Sequence, residues 1–443
     1  MRTAASTENG TVAISLGEMT PLSLRSNFSW IATGNAVAAL SQWGMIIVLA
    51  HLGGPAMIGQ VVLAFAVCAP VAALSQLGLR TAVVTDAKGE FRFGDYLALR
   101  LITSIGSLVI VSGIAVVVGF RLETALIIIV VSVGETFSSV SDIFYAILQR
   151  HERMDRIAIS RMIRAPLMLV LLAAGVLGTG NVVWAVVGLP VAAAVALFAY
   201  DLPGGASVLR ASGVGRLRPC WNTSTLLRLA WISLPLGVIL AMAALATAVP
   251  RYYVGHYLGE SALGIFASIV YLAVVGAKVV TAIGQSAAPR MAKHYAAGDM
   301  AAYLRLLGKL TAVVGGVGAV AVLVVAVAGR PLLAVIYGSE FGAYAELAVY
   351  LTVAGAVGYL GAPLSVALEA TRRFKTHMVI RCAAILVLVG LLPWLTVQHG
   401  LKGAAVAMLA GSACSTLACA GAVAYYSRGN CRQERGGKPR GSL

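Results

Sequence analysis

Twelve apolar runs of about twenty residues follow one another along this chain, separated by short connections that carry most of its arginines and lysines. As a helix, a run of that length rises about 30 Å, the thickness of the hydrocarbon core of a bilayer. In lipid every backbone N–H and C=O must find its partner inside the protein, so such runs cross as helices. Composition closes the alternative. Only 11% of the 443 residues are charged and 59% are apolar. A soluble protein carries about 25% charge, and there is too little here to cover the surfaces of several soluble domains. The expected fold is an all-α polytopic membrane protein of about twelve transmembrane helices.

The basic residues fix an expected orientation. Of 33 Lys and Arg, the odd-numbered connections hold only Arg121, Arg251, Arg330 and Lys402, and Lys278 lies within a span. The others fall in the tails and the even-numbered connections, Arg80, Arg100, Arg161 and Arg164 among them. The positive-inside rule therefore puts both termini in the cytoplasm. The longest connection, 201–225, holds Pro203 and two adjacent glycines and reads as a linker. The expected order is a cytoplasmic tail (1–27), a six-helix lobe (28–200), a cytoplasmic linker (201–225), a second six-helix lobe (226–426) and a basic tail (427–443). The first 24 residues are mostly polar and do not read as a cleavable signal peptide.

Two stretches echo each other about 205 residues apart. His51–Gly59 reads HLGGPAMIG and Tyr257–Gly264 reads YLGESALG; each precedes an apolar run that leads into a glycine, Gly78 and Gly284. Both corners fall on the outer side, separated by an even number of spans. Copies in the same orientation imply a pseudo-two-fold axis along the membrane normal, with a cleft between two similar lobes.

Ionisable groups within spans are the first candidates for such a cleft, because each costs about 2.5–3.5 kcal/mol at mid-helix. Glu135 stands near the middle of the span 124–148. Asp142 lies two turns deeper on nearly the same face, and Ser132, Ser139 and Gln149 complete a polar stripe. Lys278 lies at similar depth in the span 261–285 and shares a face with Ser268, Tyr271 and Gln285. These stripes either pair within the protein or line a wet cavity. A membrane carboxylate such as Glu135 can also carry a proton. Arg25, Arg80 and Arg251 stand at span ends, where they anchor to anionic headgroups or present a fork of donors to phosphate.

Other functions are excluded. The net charge of +16 is spread between apolar runs rather than gathered in one patch, so no nucleic acid is expected. The six cysteines follow no metal or disulfide spacing, and neither a nucleotide-binding G-x-x-x-x-G-K-[ST] nor an H-E-x-x-H is present. No catalytic residue, metal or cofactor is assigned. The short outer loops favour a carrier over a membrane-embedded polymerase or ligase.

The segment from Arg251 carries a family resemblance. Tyr257-Leu258-Gly259, Gly264-Ile265-Phe266-Ala267, Pro289-Arg290 and Gly298-Asp299 resemble the segment after the seventh span in bacterial polysaccharide exporters of the Wzx type. PLLAVIYGSEF (331–341), GLKGAAVA (400–407), HLGGPAMIGQ and SQLGLRTAV extend it over nearly the whole chain. The resemblance implies the superfamily that also holds multidrug (MATE) carriers and the peptidoglycan precursor flippase, the latter with more spans than are read here. It implies a MATE-like fold in the bacterial cytoplasmic membrane. The expected substrate is a polyprenyl-diphosphate-linked oligosaccharide for surface polysaccharide, exopolysaccharide or O-antigen, held in a cationic cavity. Lys278, helped by Arg25 or Arg80, would meet the diphosphate, while Glu135 and Asp142 would tune the cavity or carry protons. Expected partners are the lipid-linked substrate, membrane lipids, and a polysaccharide polymerase and other assembly proteins. Two acids against one lysine at mid-membrane also suit a MATE-like exporter of cations.

Overall fold

The computed structural model describes residues 24–86, 90–212, 218–371 and 373–435. Among these the regular structure is entirely helical: α1 (Leu24–Gln76), α2 (Leu79–Thr85), α3 (Phe93–Val117), α4 (Leu122–Arg150), α5 (Met154–Thr179), α6 (Val182–Val195), α7 (Leu202–Ser212), α8 (Thr223–Ala296), α9 (Met300–Tyr337), α10 (Ala345–Ala370) and α11 (Phe374–Arg435). Side-chain caps mark several starts. Asn181 accepts from the Val183 amide at 2.8 Å, Asn222 from Thr225 at 3.3 Å and Asp299 from Ala302 at 2.9 Å. Gly180, at φ 63°, closes α5 in the left-handed conformation that only glycine adopts cheaply.

Nine helices among the described residues are long and apolar enough to cross a membrane. Three helices are far too long for one crossing: α1 has 53 residues, α8 has 74 and α11 has 62. A straight α1 would reach about 80 Å at 1.5 Å per residue. Each holds one non-helical glycine: Gly54 (φ 73°, ψ 179°), Gly259 (φ 85°, ψ 174°) and Gly400 (φ 58°, ψ −139°). Each chain reverses there. Ala38 and Gln42 share a cavity with Phe65, although straight helix would hold them tens of ångströms apart. A Cβ at Gly255 would lie 3.1 Å from Leu263, and one at Gly411 would lie 3.7 Å from the Ala384 carbonyl. The three long helices are hairpins. In α1, Pro55 directly follows the turning glycine, where its missing N–H costs nothing.

Gly54 and Gly259 are the equivalent residues of the two echoing corners, and they adopt nearly the same backbone angles. The corners also meet. A Cβ at Gly59 would stand 1.7 Å from the Glu260 carbonyl oxygen, and one at Gly264 would stand 1.8 Å from that of Pro55. Gly59 pairs with Gly264 and Pro55 with Glu260 under the same shift, so the contact is reciprocal. Thr124 adds a hydrogen bond to Glu260 at 2.6 Å, and Trp43 donates to Tyr337 at 3.0 Å, tying α1 to α9. One hydrophobic core runs through this junction, with Ile58, Leu63, Val254, Leu263 and Phe266 buried together. The echo fails further along. Leu77 (φ 49°) and Gly78 (φ 59°) break the first copy, whereas Gly284 stays helical, buried against Val366.

Outward surfaces are apolar. Val117, Leu122, Val327 and Val335 are each 78% exposed or more, as helices facing lipid require. The first part of the linker expected at 201–225 is helical, and residues 213–217 lie outside the described residues. A π-helical turn (Ala196–Asp201) joins α6 to α7, so helix continues to Ser212. Gly205 serves packing there rather than flexibility, since its Cβ would collide with the Phe144 ring. Helix also enters both expected tails, beginning at Leu24 and ending at Arg435; residues 1–23 and 436–443 lie outside the described residues.

Gly59→Ala and Gly264→Ala each force backbone apart at the junction. We expect each to destabilise the protein by roughly 1–3 kcal/mol, the usual range for overpacking. Gly106→Ala, with nothing within 4 Å of its Cβ, leaves stability unchanged or slightly raised. Thermal unfolding of the three purified variants in detergent checks this.

Candidate functional site

The first half of the chain holds a cavity of about 200 Å³ between α1, α4, α5 and α6. Its walls are mainly apolar, from Phe65, Val131, Met168 and Leu189, and its polar groups are Gln42, Glu135, Ser138 and Arg164. Glu135 is 13 residues into α4, or about 20 Å, and Arg164 is ten residues into α5, or about 15 Å. Each is therefore well inside a crossing helix. Among the described residues, neither forms an ion pair within 4.0 Å. The cavity wall thus carries a carboxylate and a guanidinium that are electrostatic neighbours without a closed ion pair. Gly134 lets α6 approach α4 beside Glu135, with a Cβ there only 3.3 Å from the Pro190 nitrogen.

Asp142 has a different fate. Its Oδ1 accepts from Arg80 Nη1 at 3.1 Å and its Oδ2 from Arg100 Nη2 at 3.4 Å. Arg80 Nε donates to Gln149 at 2.8 Å. The break at Leu77–Gly78 starts α2, and α2 carries Arg80 against α4. The lower part of the α4 stripe is thus paired within the protein, and Arg80 is engaged there. Arg80 and Arg161 both stack on Tyr145, 5.8 Å and 5.9 Å from its ring centre, and Arg161 also donates to Asn35.

The remaining expected site residues are dispersed. Arg25 is exposed at the start of α1. Arg251 and Tyr271 are half-buried electrostatic neighbours across the α8 hairpin, and Tyr271 packs on the shared core. Neither lines the cavity with Glu135. Lys278 belongs to α8, and its side chain lies outside the described residues. Ser268 is buried and donates to the Gly264 carbonyl, so its hydroxyl serves its own helix.

Four ionic residues were hidden in the sequence. Arg100, Arg161 and Arg164 are assigned to connections by the orientation tally, although they fall inside the expected spans 96–119 and 157–178. Their positions four to seven residues inside a span were the available signal. Asp201 falls at the edge of the expected linker, yet it is only 1% exposed.

Arg100 is fully buried while Asp142 is partly exposed. Asp142→Ala therefore strands a buried guanidinium, at a cost of about 3–5 kcal/mol. Arg80→Ala leaves the Arg100–Asp142 pair in place and costs less. Unfolding midpoints of the two variants in one detergent should rank them in that order.

Comparison with known proteins accords with this architecture. Residues 24–294 match the family described as polysaccharide biosynthesis protein. The capsular polysaccharide biosynthesis protein CapF of Staphylococcus aureus is 24% identical over 316 residues, covering 71% of this chain and 78% of CapF. Among solved structures, the lipid II flippase MurJ in an inward closed conformation aligns with a TM-score of 0.71 at 10% identity, over 89% of this chain and 87% of that one. An inward-facing multidrug resistance MATE transporter of the MOP superfamily aligns at 0.66 and 13% identity, over 94% and 97%. This chain belongs to the polysaccharide biosynthesis protein family, the family of the Wzx-type exporters that its motifs resemble.

Proposed function

We propose that this protein carries a polyprenyl-diphosphate-linked oligosaccharide from the inner to the outer leaflet of the bacterial cytoplasmic membrane. It does so as a carrier and not as an enzyme, with both termini in the cytoplasm. Twelve crossings form two six-helix lobes, and the lobes alternate access to the cavity. The observation that carries this reading is Arg164, which lines the cavity together with apolar side chains and closes no ion pair within 4.0 Å among the described residues. A guanidinium is a planar fork of donors suited to phosphate oxygens. Apolar walls suit the prenyl chain, and Glu135, Gln42 and Ser138 suit sugar hydroxyls.

Arg164 takes the role first expected of Lys278, with Arg161 three residues away on the same helix. Arg80 serves Asp142 instead. A polysaccharide polymerase and other assembly proteins would receive the flipped unit.

The competing reading is a MATE-like exporter of cations, which draws on Glu135 alone. The two readings separate in a deletion strain complemented with variants. A membrane-impermeant glycan-cleaving enzyme reports which leaflet holds the lipid-linked units. We expect Arg164→Gln and Glu135→Gln each to trap complete units in the inner leaflet and to reduce surface polysaccharide at least about tenfold, equivalent to about 1.4 kcal/mol. Normal flipping in Arg164→Gln, with drug resistance lost in Glu135→Gln, would replace the flippase by the cation exporter.

A further inference from the structure

The echo between the two halves stops at the inner ends of their hairpins. In α1 the second leg ends at Gln76, 22 residues past Gly54. In α8 it runs to Ala296, 37 residues past Gly259. The next crossing shows the same excess, with 25 residues in α3 and 38 in α9. At 1.5 Å per residue, Lys293 stands about 51 Å along its leg from Gly259, and Arg305 about 48 Å along α9 from Tyr337. A whole bilayer with its headgroups measures about 40–45 Å. An average tilt of about 20° shortens both reaches by only about 6%. The second half therefore lifts a helical hairpin to the far edge of the headgroups and past it, and α1 and α3 are too short to match it.

The turn and the inner faces of this hairpin are specifically packed. Gly298 (φ 74°) and Asp299 make the turn: the Asp299 amide donates to the His294 carbonyl at 3.0 Å, and its side chain accepts from the Ala302 amide at 2.9 Å. Tyr295 packs on Tyr303 across the legs, with ring centres 5.7 Å apart. Met291, Met300, Tyr303 and Leu307 are buried with Leu368 and Ile380, and Tyr303 donates to the Ala367 carbonyl at 3.3 Å. The outward side is basic. Arg290 and Lys293, one turn apart on the first leg, and Arg305 and Lys309, one turn apart on the second, are exposed. None of the four forms an ion pair within 4.0 Å among the described residues. At the inner end of the first half, by contrast, Arg80 and Arg100 pair with Asp142, and Arg153 pairs with Asp155.

We propose that this hairpin is a docking surface for an acidic face of a peripheral cytoplasmic protein. Its cytoplasmic placement rests on the orientation proposed above. Charge complementarity selects the sign of the partner, and height selects its kind. Lys293 and Arg305 stand where a soluble macromolecule reaches them and lipid headgroups do not; Arg290 and Lys309 stand one turn lower, level with the headgroup edge. Exposed charges of this kind set encounter rate and specificity, and salt screens them.

The test starts in cells of the source organism. Leu304, 42% exposed beside Arg305, is replaced in the full chain by a photoreactive benzophenone amino acid and irradiated. The same label at Phe28, 72% exposed near the start of α1, is the control. We expect one discrete protein adduct at Leu304 and none of that mass at Phe28. The cross-linked protein, identified by mass spectrometry of the adduct, is then purified and titrated against the purified full chain in phosphatidylcholine nanodiscs. Binding should weaken at least about tenfold in the charge swap Lys293→Glu with Arg305→Glu, and by less in the neutral pair Lys293→Gln with Arg305→Gln. Added NaCl should weaken binding of the wild type more than that of the neutral pair. Unfolding midpoints equal to the wild type confirm that the variants fold, and the neutral pair carries the test where the swap does not. No adduct at Leu304, an adduct with phospholipid alone, or a titration that neither variant changes would overturn the proposal. No step uses a glycan or its flipping, so this result is separate from that of the leaflet assay.

Discussion

Backbone touches backbone where the two halves of this chain meet. Gly59 lies against the Glu260 carbonyl and Gly264 against that of Pro55, at separations no side chain could occupy. Without a hydrophobic drive between helices in lipid, close approach at small residues is what makes helix association favourable. The same two corners hold the glycines that turn α1 and α8 back on themselves. One short motif thus sets both the hairpins and their docking. The shared core of Ile58, Val254, Leu263 and Phe266 then follows, because the hairpin legs have no other place to bury those faces.

With the helices so arranged, charge becomes the scarce and costly component. The first half of the chain gathers Arg80, Arg100, Arg161, Arg164, Glu135, Asp142 and Asp201 among its helices. Asp142 pairs with two of the arginines, one of them with no exposed surface. That pairing holds α2 and α3 to α4, but one carboxylate against two guanidiniums keeps a net positive charge, and Nε and Nη1 of Arg100 have no hydrogen-bond partner among the described residues. Arg164 and Glu135 line the cavity as electrostatic neighbours without closing an ion pair, and ionisable groups inside a membrane protein mark functional positions. The division lies along one helix. A single stripe on α4 is a clasp at Asp142 and a cavity wall at Glu135, two turns apart.

How much of this was legible beforehand depends on the kind of signal. The membrane class follows from run length and the low charged fraction, and the duplicated corner follows from the echo of HLGGPAMIG in YLGESALG, with Gly54 and Gly259 in matching conformations. Glu135 was legible because a lone carboxylate in the middle of an apolar run has no bland reason to be there. Arg164 was not, because an arginine near a span end looks like an orientation signal, and only tertiary placement turns it inward. Asp201 was masked by Pro203 and Gly204-Gly205, which read as a linker. In the fold, Gly205 is a packing surface for Phe144 and the proline sits just past a π turn, so the local breakers were overruled by contact with α4.

Arg164 is the electrostatic neighbour of two acids, Glu135 in the cavity and Asp201 at the end of the π turn. One guanidinium cannot fully compensate two carboxylates and also meet an anion in the cavity. Under the proposed function, an anionic group bound at Arg164 would compete with both acids for the same donors, so an Arg164 substitution would remove the anion's partner and leave both carboxylates less compensated at once.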